Sequence, residues 1–186
     1  MIIIGIDPGS VVTGVGVIES INGVFRVLDY DALFMSSKTP MPERLKTIYD
    51  FCIKKINLYK PDQLAIETAF FGKNIQSTLK LGQVRGVIMV ASMNSGVSVF
   101  EYSPREVKKS VTGNGSSSKQ TVQTFIKNIL SMKVNKILND SSDALAIALC
   151  HHYSGSSRIS FKTSGKKSNW KDFIEKNPDK IYRRQI

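Results

Sequence analysis

The chain is sparing with several residue types, and each scarcity removes a class of protein. Its 186 residues include two cysteines, two histidines and one tryptophan. Two cysteines can close at most one disulfide. Cys52 and Cys150 lie far apart, each within an apolar helical pattern, so they read as buried, reduced thiols of a reducing compartment rather than a disulfide framework or a metal site. His151 and His152 have no further ligands at metal spacing and read as structural or solvated. The opening run Met1 to Ile6 carries no basic region before it and meets Asp7-Pro8-Gly9, too short for a signal peptide or a membrane span. A cytoplasmic protein that does not enter membranes is expected. No internal repeat is visible, and 41% apolar with 22% charged residues excludes disorder throughout and fibrous architectures.

Acidic residues are also few: 15 Asp and Glu face 26 Lys and Arg, a formal net charge of +11. Such an excess favours a polyanionic partner, nucleic acid or an anionic membrane surface, because phosphate contacts by Lys and Arg release condensed counterions. More than half of it lies in the last 29 residues, where Arg158 to Ile186 holds nine basic and three acidic side chains. The length suits one compact domain and a tail. The boundary falls where apolar patterning dissolves, after Tyr153, giving a domain over 1–153 and a basic, flexible tail over 154–186.

Ile2 to Ile6 reads as a buried strand closed by a turn, and Val15 to Ile18 with Val24 to Leu28 bracket Asn22-Gly23, a hairpin signal. From Pro42, Leu45, Ile48, Tyr49, Cys52 and Ile56 recur at helical spacing until Pro61. Gln63 to Ile66 is a strand ending at Glu67, followed by a long helix through Leu79, Val84, Val87, Ile88 and Ala91 and a strand from Val97 to Tyr102, which implies a parallel crossover. Ser103-Pro104-Arg105-Glu106 is a capping box that opens a helix to about Val111. A further helix runs from Ser118 to Met132, and a last one, opened by Asp140 and Asp143, carries Ala144, Leu145, Ile147 and Ala148.

Four carboxylates thus stand at strand ends or a helix start. Asp140 and Asp143, three apart, project on one side of a helix, and adjacent parallel strands could bring Asp7 and Glu67 to the same place. Singly, each has an ordinary role as turn former, cap, first-turn residue or surface strand end. Converging, they would repel strongly, and the usual relief is a hard divalent cation such as Mg²⁺. Two such ions can activate a water and stabilise the leaving oxygen of a phosphodiester.

Gly5-Ile6-Asp7-Pro8-Gly9-Ser10 with Thr13-Gly14, Ala65-Ile66-Glu67 followed by Phe70, and Asp140-Ser141-Ser142-Asp143-Ala144-Leu145-Ala146 stand in the order and spacing of one family. Lys73-Asn74, Leu79 to Gln83 with Arg85-Gly86, Val99 to Tyr102, and Val107-Lys108 before Gly113 extend the match over residues 1–153. The chain resembles the RuvC family, the bacterial Holliday junction resolvases. The resemblance implies an α/β, ribonuclease H-like fold, a five-stranded mixed sheet flanked by helices. It implies a homodimer, formed through the helix around Leu79 to Met93, that makes paired symmetric nicks in four-way DNA junctions during recombination and repair and leaves 5′-phosphate ends. Asp7, Glu67, Asp140 and Asp143 match the catalytic, metal-binding set, with Mg²⁺, two per site, or Mn²⁺ in its place. Phe70, Lys73, Arg105, Lys108 and Lys119 match DNA-contacting positions, with Phe70 inserted against bases at the junction centre. The branch-migration proteins RuvA and RuvB are the partners implied. Two other functions share these features: a ribonuclease H-like nuclease acting on RNA or hybrids, and a noncatalytic junction-binding protein. The tail lies beyond the matched core and could add nonspecific DNA affinity.

Overall fold

The computed structural model describes residues 1–68, 74–132 and 137–155. Three antiparallel strands open it: β1 (Ile2–Asp7), β2 (Val12–Ile21) and β3 (Val24–Phe34). Asn22 and Gly23, with φ of 51° and 80°, make the hairpin turn that the Asn-Gly pair predicts. Both hairpin strands run longer than their apolar stretches. The register pairs Thr13 with Leu33 and Gly14 with Ala32, so ladder hydrogen bonds carry the strands through polar and glycine positions that hydrophobic alternation does not mark.

Helix α1 (Met41–Tyr59) starts at Pro42 in its first turn and stops at Lys60, a left-handed cap with φ of 46°. It leads to β4 (Gln63–Glu67), parallel to β1, and α2 (Ile75–Asn94) crosses to β5 (Ser98–Tyr102), parallel to β4. The sheet order is β3-β2-β1-β4-β5. Helix α3 (Pro104–Thr112) begins with the predicted capping box, Ser103 and Glu106 satisfying each other's backbone N–H. Helices α4 (Lys119–Ile129) and α5 (Asn139–Ser154) complete the described fold. The expected Ser118–Met132 helix ends earlier, because Leu130 caps it and Ser131 turns left-handed at φ 48°.

Strand alternation divides the core between the two faces of the sheet. Ile4, Ile6, Val15, Val17, Leu64 and Ile66 face one way, against Ile48 and Cys52 of α1 and Val84, Ile88 and Ala91 of α2. Ile3, Ile18, Ala65, Phe100 and Tyr102 face the other way, against α3, α4 and the almost wholly buried α5. Both cysteines are buried thiols, and burial pushes the Cys52 thiol up to about 12, which leaves it inert. His151 is structural, as its spacing implied: Nδ1 lies 2.6 Å from the Tyr102 hydroxyl and Nε2 2.6 Å from Gln63 Oε1, tying α5 to β5 and β4. Among the described residues no helix is long and apolar enough to cross a membrane.

Candidate active site

Two parallel neighbours bring the first pair of carboxylates together. β1 and β4 run in register from Ile3 with Gln63 to Ile6 with Ile66, so the next residues, Asp7 and Glu67, end adjacent strands side by side. Side chains alternate, so Asp7 follows Gly5 and Glu67 follows Ala65 onto the face that α5 covers. The second pair arrives on α5, whose first turn holds Asp140, favoured there by the helix dipole.

What seats that helix is the absence of side chains beneath it. In the β1/β2 register Gly5 lies opposite Gly16, and Asp7 opposite Gly14. A Cβ added to Gly5 would stand 2.1 Å from the Ala144 carbonyl oxygen, one on Gly14 2.1 Å from that of Asp140, and one on Gly16 2.7 Å from the Leu145 nitrogen. These strands therefore offer α5 a smooth track on which its backbone rests, and Gly14 sets the depth at which Asp140 sits. A second device holds the turn after Asp7. Thr13, fully buried, donates its hydroxyl to the Gly9 carbonyl at 2.8 Å, and Arg44 of α1, 6% exposed, donates Nη1 to the Ser10 carbonyl at 2.7 Å.

The four carboxylates share one electrostatic environment. Burial raises Asp7 to about 8, with Glu67, Asp143 and Asp140 adding repulsion and Lys119 opposing it. Burial likewise raises Glu67 to about 7, with repulsion from Asp143 and relief from Lys119 and Lys108. Asp143 is raised by burial, although its bond to Lys119 works the other way. Lys119 Nζ lies 2.6 Å from Asp143 Oδ2. Among the described residues no three ligand-type side chains stand close enough to hold an ion as they are. The donor chemistry nevertheless fits a hard divalent cation: several acidic oxygens, partly desolvated and mutually repelling, opposed chiefly by lysine.

Of the DNA-contact candidates, Lys108 and Lys119 line the cavity of about 150 Å³ that Glu67 and Asp143 share with Pro104, Val107, Val122 and Ala146. Arg105 does not line it and lies over the Gly115 loop, exposed. Phe70 and Lys73 lie outside the described residues. Sequence reasoning missed the anchor at Arg44 and the buried hydroxyls of Ser141 and Ser142, which have no hydrogen-bond partner among the described residues. Gly5 and Gly14 belonged to the motifs, but their spacing gave no sign that a helix backbone touches them.

Comparison with known proteins gives the family and the fold. The family model described as "Crossover junction endodeoxyribonuclease RuvC" matches residues 3–151. A relative from Chloroherpeton thalassium, bearing the same description, is 50% identical over 184 residues, covering 97% of this chain and 99% of its own, so the likeness runs through most of the tail. A solved RuvC structure from Thermus thermophilus superposes with a TM-score of 0.75 at 31% identity, covering 82% of this chain and 94% of that one. The same Thermus protein in complex with Holliday junction substrate superposes equally well, at 29% identity and the same coverage. With residues 3–151 matched by the family model and half the residues identical to a relative along nearly the whole chain, this protein belongs to the RuvC family of crossover junction endodeoxyribonucleases.

Proposed function

We propose that this chain resolves Holliday junctions with a divalent cation held by Asp7, Glu67, Asp140 and Asp143, and that it does so as a homodimer nicking two strands symmetrically. The observation that carries the reading is the meeting of two strand-end carboxylates with two carboxylates of one helix, mutually repelling and partly buried. Mg²⁺, two ions per site, or Mn²⁺ in its place, would activate a water and steady the leaving oxygen, making 5′-phosphate ends.

The chain's own residues do the rest. The glycine track and the Arg44 and Thr13 anchors hold the carboxylates in place before substrate arrives, and placement of this kind accounts for a large share of a barrier. Lys108 and Lys119, on the wall shared with Glu67 and Asp143, offer ammonium groups to the negative charge that grows on the phosphate. Phe70, Lys73 and Arg105 are assigned to junction contacts. For the dimer, α2 presents Ile75, Leu79 and Val90 to solvent at 75%, 64% and 54% exposure, and nothing lies within 4 Å of where a Cβ would be at Gly82 or Gly86. These positions fall along one side of the helix, an apolar surface with smooth points where a second helix can approach closely, and a two-fold dimer suits a substrate of near two-fold symmetry. Residues 1–153 form the nuclease domain. The basic tail 154–186 adds nonspecific DNA affinity, and RuvA and RuvB are the expected partners.

The test is cleavage of a labelled four-way junction with Mg²⁺ or EDTA, beside linear duplex and RNA–DNA hybrid, by the protein and its Asp7→Asn variant. Paired nicks in the junction alone, lost in the variant while junction binding persists, are expected. Cutting of the hybrid would point to a ribonuclease instead, and strong residual cleavage by Asp7→Asn would remove Asp7 from the metal set.

A further inference from the structure

Lys119 occupies an odd position for a cation. It is the first residue of α4, following the cap Ser118, and a helix N-terminus repels positive charge. No acidic side chain in the first turn of α4 offsets this. The ammonium instead reaches across to α5, where it sits 2.6 Å from Asp143 Oδ2. Lys108, on the same cavity wall, forms no ion pair among the described residues, so the two lysines are not equivalent. The Lys119 charge also acts on Asp7, Asp140 and Glu67, so one flexible side chain serves all four carboxylates. Its side chain is 52% exposed, which leaves it free to swing away.

We infer that Lys119 is the resident counter-ion of the metal-free site, an ammonium on Asp143 that an entering divalent cation must displace and that is thereby released toward the phosphate. This rests on the carboxylates being the metal site proposed above. The physical reason is that a divalent ion held among these carboxylates and an ammonium 2.6 Å from one oxygen of Asp143 repel each other strongly at such short range, whereas either alone relieves the crowding of like charges. Metal loading and phosphate capture are then coupled through a single residue. A lysine that only met phosphate would have no bearing on the site before DNA arrives.

Calorimetric titration of the full-length, DNA-free protein with Mn²⁺ separates these possibilities, run on the unaltered protein, Lys119→Met and Lys119→Arg. With no ammonium to expel, Lys119→Met should bind Mn²⁺ about twofold to fivefold more tightly. It should also melt at a lower temperature in EDTA and gain more on adding Mn²⁺, because its carboxylates have lost their counter-ion. Lys119→Arg, which keeps the charge, should follow the unaltered protein. Equal or weaker Mn²⁺ binding by Lys119→Met, with the unaltered protein binding normally, would overturn the counter-ion role and leave the metal site standing. No Mn²⁺ uptake by the unaltered protein would remove the carboxylate metal site itself, and this inference with it.

Discussion

A single methyl group at Gly14 should disable the site without unfolding the protein. The added Cβ would stand 2.1 Å from the Asp140 carbonyl oxygen, 2.4 Å from its carbon and 3.1 Å from its Cβ. Ordinary contact begins near 3.4 Å, so the first turn of α5 must lift by about 1 Å, and it cannot do so by a rotamer change because the clash is with backbone. Overpacking of this kind costs about 1–3 kcal/mol, which for a domain of this size lowers the melting temperature by roughly 2–12 °C. The catalytic effect should be larger. Asp140 and Asp143 ride on the displaced turn, and a misplacement of about 1 Å at a reacting centre is worth about 10²-fold in rate. The assay is single-turnover nicking of a four-way junction at saturating protein, well below the melting temperature, with far-ultraviolet circular dichroism to show that the fold persists. A Gly14→Ala protein that nicks at the original rate would refute the idea that this glycine sets the position of Asp140.

Other consequences can be checked as directly. Burial holds the His151 imidazole down at about 4, so the folded protein keeps it neutral while the unfolded chain takes up a proton below about 6.5. Its contribution is therefore intact above pH 6.5 and lost as pH falls toward 4: by pH 5 the protein should have lost roughly 2 kcal/mol that His151→Gln does not lose, read as the difference in urea midpoints between pH 7 and pH 5. Ser141 and Ser142 bury hydroxyls with no partner among the described residues, so Ser141→Ala and Ser142→Ala should each stabilise by about 1 kcal/mol in thermal melts. Leu79→Glu places a charge on the exposed apolar side of α2 and should yield monomers in analytical ultracentrifugation, with paired nicking lost and the single-chain melt little changed. Mg²⁺ at about 100 times its dissociation constant should stabilise the protein by roughly 2.7 kcal/mol and leave Asp7→Asn almost unmoved.

Much of the architecture can be read without coordinates, for local reasons. The Asn22-Gly23 turn, the capping box at Ser103 and Glu106, the helical spacing from Pro42 to Ile56 and the parallel crossover from β4 to β5 each follow from short-range chemistry, and the structure contains all of them. Where the reading stopped short, in the length of β2 and β3 and the end of α4, ladder hydrogen bonds and a left-handed residue at Ser131 decided the boundary. Hydrophobic patterning reports neither.

The site divides along the same line. That Asp7 and Glu67 end strands, and that Asp140 and Asp143 share one turn of helix, follows from local pattern and the period of the helix, whereas the pairing of β1 with β4, which the order of elements only allowed, comes from the fold. The residue types alone already called for a counter-charge. Everything that joins distant segments belongs to tertiary structure. Gly14 and Asp140 are 126 positions apart, and Arg44 reaches a carbonyl 34 residues back. Lys119 and Asp143, 24 positions apart, meet across two helices. No periodicity encodes such pairs, because each depends on how closely two backbones approach after packing. The sequence by itself determined which groups could do the chemistry, since residue type and local spacing set charge and facing. Only the folded chain decided how deep α5 sits on its glycines and which cation stands among the carboxylates, since both are distances between elements that meet only once the core has closed.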